Sequence, residues 1–224
     1  MLPTSRNLSL LEAGGSASKL LKQDGYYFPK EIEKCDDSGG ERATRLHAKW
    51  SERRTHFFHS LAKHIVQRCI KNGVGRINIG ELVDVREDEN GESKNLGKHG
   101  NLDLHGWAFD RFSNVLEYKA KVEGIEVVEI SERDTSKTCC VCGRKDESQR
   151  VERGLYVCEE HDDAFNADVN GAENIRLDIN QSNSESAPDL GGERSTGWLA
   201  QPEVYLYDLS RGFQPRREVV DCKP

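Results

Sequence analysis

What this chain lacks narrows its function before any motif is read. It has no apolar run near the roughly 18 residues that a membrane-crossing helix needs, and no charged-then-apolar leader at its start. Both absences point to a cytoplasmic protein, with no membrane among its partners. A surplus of positive charge is missing too: 32 Lys and Arg stand against 39 Asp and Glu, a formal charge of −7. Taken alone, that balance argues against nucleic acid, because neutralising phosphates takes basic residues in excess. A salt-adapted protein escapes this argument. In molar salt the Debye length falls to about 3 Å, and an acidic surface no longer repels DNA at a distance. Apolar residues are lean at 35%, but not lean enough for a disordered chain. The lone methionine and the many paired acidic residues fit salt adaptation.

Proline is scarce as well, with six in 224 residues, so each one matters. Pro29 sits in "DGYYFPK", which reads as an extended aromatic segment, after "SLLEAGG", a candidate short strand. A long helix is expected from about Glu41 to Lys71, with Leu46, Trp50, Phe57, Leu61, Ile65 and Cys69 on its apolar face. "NGVG" should stop it, because Asn and Gly tolerate the left-handed helix end. "GRINIGELVDV" then reads as a strand ending at the acidic Glu81. The polar "REDENGESKNLGKHGN" reads as a loop, "LHGWAFDRFSNVLEYKAKVEG" as a second amphipathic helix, and "IEVVEI" as a buried strand. After the cysteine-rich segment comes a helical "ADVNGAENIRLDI", then a polar linker, then "WLAQPEVYLYDLSRGF", an apolar strap. The order helix, strand, helix, strand, insertion, helix indicates an α/β domain with a small module inserted.

Cysteine is present, and unevenly spread. Four of the seven lie between Lys137 and Ile175. Cys139 and Cys142 form a C-x-x-C pair, Cys158 and His161 form C-x-x-H, and fifteen residues separate the pairs. A two-residue gap turns both side chains of a pair toward one point, and two such knuckles complete a tetrahedron. Thiolates with an imidazole suit Zn2+, and four filled positions make the site structural. The competing account is a chance cluster of free cysteines. Cys140 is expected to point away from the site, and Cys69 to lie in a core.

The carboxylates are less specific. Asp168, just past the cysteine module, reads equally as a helix cap or a catalytic group, and Glu81 equally as a solvated strand end. His56, His59 and His64 read as partly exposed helix histidines or as groups facing nucleic acid, and Trp107 as a core residue or a base-stacking one.

Taken together, "TSKTCCVCG", "NADVNGAENI" and "LEYKAKVEGIEVVEI" make the chain resemble the OrfB (TnpB) family of insertion-sequence transposon proteins, relatives of the type V CRISPR nucleases. The likeness runs from about Leu46 to Ile179. It implies an RNase H-like (RuvC) core with a zinc ribbon inserted before the last active-site helix, and Mg2+-dependent cleavage of DNA guided by RNA. DNA is then the partner, with guide RNA as a second. Glu81 matches the second RuvC carboxylate and Asp168 the third. Three are needed because two metal ions about 4 Å apart must be bridged and neutralised. The first, in an Asp-x-Gly turn, has no match: "NLSLL" resembles the residues just after that turn, and Asp24 and Asp36 are the nearest substitutes. The resulting expectation is a core incomplete at its N-terminus and deficient in cleavage. Its segments would be a core remnant at 1–45, RuvC-like core at 46–130, zinc ribbon at 131–165, final active-site helix at 166–180, and linker and tail at 181–224. A non-catalytic zinc-ribbon module that binds nucleic acid in an accessory or regulatory role remains the alternative. A structural zinc protein with no nucleic acid is a further one.

Overall fold

Helix α2, Glu41–Asn72, is the longest element. Phe57, Leu61, Ile65 and Cys69 are buried at four-residue intervals, and Phe58, Ala62 and Val66 widen the stripe. Leu46 and Trp50, expected on the same face, are half-buried. The computed structural model describes residues 14–35, 39–81, 109–152, 154–160, 162–177 and 204–216. The "SLLEA" strand, Asp36, the loop at 86–101, Trp107, His161 and the linker after Asn180 were all singled out in the sequence and lie outside those residues.

The chain divides into two units. One comprises residues 12–68, 95–119 and 204–224. In it, α1 (Gly14–Glu33) replaces the extended segment expected around Pro29, which lies inside the helix. Leu21, Asp24 and Phe28 are buried at spacings of three and four, the signature of one helical face. Phe28 stacks on Trp50 at 6.0 Å, and Arg53 Nε and an Nη donate to the two Asp24 oxygens at 2.7 and 3.0 Å. These anchors override the local cost of proline. The C-terminal strap is an antiparallel hairpin, Tyr205–Asp208 against Gly212–Pro215. Its Tyr207 and Phe213 rings meet Phe57, and Tyr205 and Phe213 meet His64. His56 and His59 pair with the hydroxyls of Tyr207 and Tyr118.

The other unit comprises residues 1–11, 69–94 and 120–203. Strands β1 (Arg76–Glu81) and β2 (Glu126–Ser131) pair in parallel, with Glu81 opposite Ser131. Helix α3 (Phe109–Val122) lies between them in sequence, as a parallel connection requires. It ends at Gly124, whose φ of +71° favours glycine. There Gly124 N donates to Lys121 O and Ile125 N to Ala120 O, which turns the chain straight into β2. The end of α2 has the same bonding pattern at Gly73 and Val74. Past β2 comes a cysteine-bearing module with its own hairpin, β3 (Leu155–Cys158) against β4 (Asp163–Asn166). Helix α4 (Ala167–Leu177) follows directly. The order inferred from the sequence is thus the order found.

Candidate metal and carboxylate sites

The cysteine module is built around a small core of Tyr156, Phe165, Ala167 and Val169 with Cys139, Cys140 and Cys158. Tyr156 and Phe165 stack at 6.4 Å, and the Tyr156 hydroxyl donates to Gln149 Oε1 at 2.7 Å. The knuckle after Cys139 is a tight turn. Gly143 N donates to Cys139 O, and Cys139 N donates to Arg144 O, both at 2.9 Å. Gly143 takes φ +74°, which a side chain would strain.

This turn brings Cys139, Cys142 and Cys158 together, with their sulfurs all within 4.8 Å of one another. Cys142 and Cys158 sulfurs are 3.8 Å apart. That matches the edge of a tetrahedron with metal–sulfur bonds of about 2.3 Å, which is roughly 3.8 Å. It is far too long for a disulfide at about 2.05 Å. Burial pushes the Cys139 thiol up to about 12, so without a cation the group stays protonated. A divalent ion would reverse that, stabilising thiolates in a site otherwise hostile to charge. The donor set therefore fits a soft-ligand metal such as zinc. The fourth residue of the sequence pattern, His161, is outside the described residues, next to Asp162 with its φ of +53°. Cys140 is buried but is not one of the three grouped sulfurs, and burial pushes its thiol up to about 12.

The two carboxylates belong to the same unit. Glu81 is exposed at the last residue of β1. Asp168 is exposed in the first turn of α4 and does not cap it. Asn166 is the cap: its Oδ1 accepts from Asp168 N at 3.0 Å and Val169 N at 3.2 Å. An acidic residue there is favoured by the positive end of the helix dipole.

Hydrogen bonds fix the helix against the sheet. Asn78, midway along β1, donates through Nδ2 to Ile175 O at 3.2 Å and Arg176 O at 3.1 Å, near the end of α4. At the C-terminal edge of the sheet, the Glu132 carboxylate lies over Gly80, where an added Cβ would collide with its Oε1. Thr135 closes a turn onto Glu132 O, and Thr135 O accepts from Asn174 at 2.7 Å. The C-terminal part of α4 is thus held both to mid-β1 and to the turn that follows β2. Glu81 is the last residue of β1, and Asp168 is at the end of α4 opposite the Asn78 contact. Asp24, a candidate for the missing first carboxylate, is on a helix of the other unit and is taken up by Arg53.

Sequence reasoning missed Asn170, Glu173 and Asn174. All three are buried, which makes one face of α4 polar and enclosed. Glu173 receives two bonds from Arg176, at 2.6 and 2.7 Å. The available signal was amides four apart on a helix with few apolar residues.

The chain is similar to known proteins along much of its length. Residues 14–86 match the family model OrfB_IS605, described as probable transposase. Residues 109–175 match the Cas12f1-like TNB domain. The chain is 27% identical over 173 residues to the CRISPR-associated endodeoxyribonuclease Cas12f1 of Sulfoacidibacillus thermotolerans, covering 77% of this chain and 36% of that protein. It is 28% identical over 151 residues to a TnpB-like protein of Methanocaldococcus jannaschii, covering 61% and 52%. Among solved structures, it resembles a Cas12f1–sgRNA–target DNA complex with a TM-score of 0.53 and 26% identity, over 70% of this chain and 41% of that one. A CRISPR-Cas12f ternary complex gives 0.50 and 25%, over 71% and 32%. The chain thus spans between about a third and a half of the length of these relatives.

Proposed function

We propose, from its similarity to TnpB-like and Cas12f proteins, that this chain is a transposon-associated protein of the RNA-guided DNA endonuclease type. Its partners in this reading are DNA and a guide RNA. The fold is an RNase H-like (RuvC) core with a zinc ribbon inserted ahead of α4. Glu81 and Asp168 are the divalent-metal carboxylates, and Cys139, Cys142, Cys158 and His161 hold a structural Zn2+. What supports this reading is that Glu81 ends β1, the strand to which α4 is hydrogen-bonded through Asn78, and that Asp168 sits in the capped first turn of that helix. Glu81 and Asp168 would hold Mg2+ there, and the ion would supply an activated water and charge stabilisation for the leaving oxygen of a phosphodiester.

Cleavage by this chain is weak in this reading. Two carboxylates hold one Mg2+ loosely, whereas the two-metal reaction needs a further bridging ligand. Among the described residues Asp24 does not supply it, being engaged by Arg53. A second reading, a non-catalytic module that binds nucleic acid, is favoured by the cysteine module's having a core of its own.

The test combines metal analysis, nucleic-acid binding and a nicking assay on single- and double-stranded DNA with Mg2+ or Mn2+. About one zinc per chain is expected, and Cys158→Ala should abolish it. Mn2+ binding should be lost in Glu81→Gln and in Asp168→Ala, with little nicking by the wild type. Robust nicking that Asp168→Ala abolishes would refute the deficiency but keep the site. DNA binding with no Mn2+ dependence in any variant would favour the accessory module. A chain that binds neither DNA nor RNA would sink both.

A further inference from the structure

The amide side chains of α4 do something that neither the cysteines nor the carboxylates explain. Asn170 grips the backbone on both sides of Cys139: its Nδ2 donates to Thr138 O at 2.8 Å, and its Oδ1 accepts from Cys140 N at 2.9 Å. One turn later, Asn174 Nδ2 donates to Thr135 O and to Thr138 O, both at 2.7 Å. Asn170 is 0% exposed, Asn174 1% and Cys139 0%, so no water competes for these bonds. The orientation of Asn174 is fixed by its donors. Its Oδ1 is buried without a partner, and flipping the amide would aim that oxygen at two carbonyls.

We infer that Asn170 and Asn174 are positioning residues, a latch that ties α4, and Asp168 in its first turn, to the backbone flanking Cys139. Filling the cysteine site then stiffens the helix. The inference rests on the cysteines' being a metal site. The physical route is short. A metal bound to Cys139 would immobilise residues 138–140, and the two amides hand that rigidity to α4 through three hydrogen bonds, with a fourth to Thr135 O just before them. Asn78 holds the other end of the helix to the strand of Glu81. Emptying the cysteine site frees the loop and leaves the N-terminal half of α4 with its Asn166 cap and its contacts inside the module.

The experiment is amide hydrogen exchange on the full chain, loaded with Co2+ and then chelated. Co2+–thiolate absorption reports occupancy of the cysteine site in the same samples. In the wild type, chelation should speed exchange across residues 168–174 by about tenfold or more. The double variant Asn170→Ala, Asn174→Leu should keep the Co2+ absorption while its helix already exchanges fast, chelation adding less than about twofold. Leu keeps the branched heavy-atom skeleton of Asn without its donors and acceptor, so a role in shape alone would leave the coupling at position 174 intact. If the double variant does not fold, Asn174→Leu alone and Asn170→Asp, which keeps only the acceptor, are read the same way. Co2+ absorption with no effect of chelation on α4, or a variant as strongly coupled as the wild type, would overturn the latch alone. No Co2+ absorption in the wild type would overturn the metal site and the latch together. Neither result bears on the carboxylates, which the Asp168→Ala nicking and Mn2+ measurements judge separately.

Discussion

Although most of Glu132 faces solvent, its carboxylate lies over the bare face of Gly80, and burial there pushes its pKa above the ordinary glutamate value. The folded state then holds the proton more tightly than the unfolded chain does. The stability this group contributes is present in full below about pH 4.3, the unfolded value, and is lost as pH rises through the raised folded value. Glu132→Gln stays neutral throughout and keeps that contribution. Without divalent metal, the variant should melt above the wild type at pH 7, and the two curves should converge near pH 4. Parallel curves would show that the carboxylate pays no such desolvation cost. Nothing in the sequence marked Glu132, because its effect depends on a glycine fifty-two positions away having no side chain. The cysteines were legible for the opposite reason: their spacing is local, and the knuckle geometry is written into four consecutive residues. Asn170 and Asn174 fall between these cases. They lay inside a motif that stood out, yet their partners are backbone carbonyls, which carry no residue identity to read.

Among the elements, α1 departs most from local expectation. "YYFPK" carries an extended bias, since a proline ring crowds the carbonyl four residues back and removes a donor. Burial of Leu21, Asp24 and Phe28 on one helical face outweighs it, and that face forms only when the chain meets Trp50 and Arg53 of α2. The second amphipathic helix and both strands needed no such partner to be recognised, because their apolar period and their glycine-marked ends are local. The terminal hairpin depends on packing even more. Two strands alone are marginal in water, and this pair is held by rings against Phe57. Phe57 meets Phe58, Tyr207 and Phe213 with ring centroids 5.0 to 5.9 Å apart. Phe57→Ala should therefore cost about 3–5 kcal/mol in denaturant unfolding. It should also open the segment at 204–216 to limited proteolysis. A loss under about 1 kcal/mol would mean the rings repack without it.

At the scale of the molecule, the sequence of elements could be read along the chain, but the pairing of β1 with β2 could not. Two short apolar strands fix neither direction nor register, and parallel direction follows here from a helix-bearing connection between them. That connection also bears on the order in which the structure forms. Each residue of β1 meets a partner fifty positions on, as Arg76 meets Glu126. In the cysteine module's hairpin, the pairs run from Leu155 with Asn166 to Cys158 with Asp163. Closing the longer loop costs about 1–2 kcal/mol more in chain entropy, and contacts so distant in sequence form slowly. With metal present, the β3–β4 hairpin should nucleate first and the parallel pair should close last. In pulse-labelled refolding, amides of 155–166 would gain protection before those of 76–81, and the reverse order would contradict it. A chain emerging from synthesis would then carry β1 unpaired while α3 and β2 are still being made, so the strand bearing Glu81 spends the longest time waiting for its neighbour.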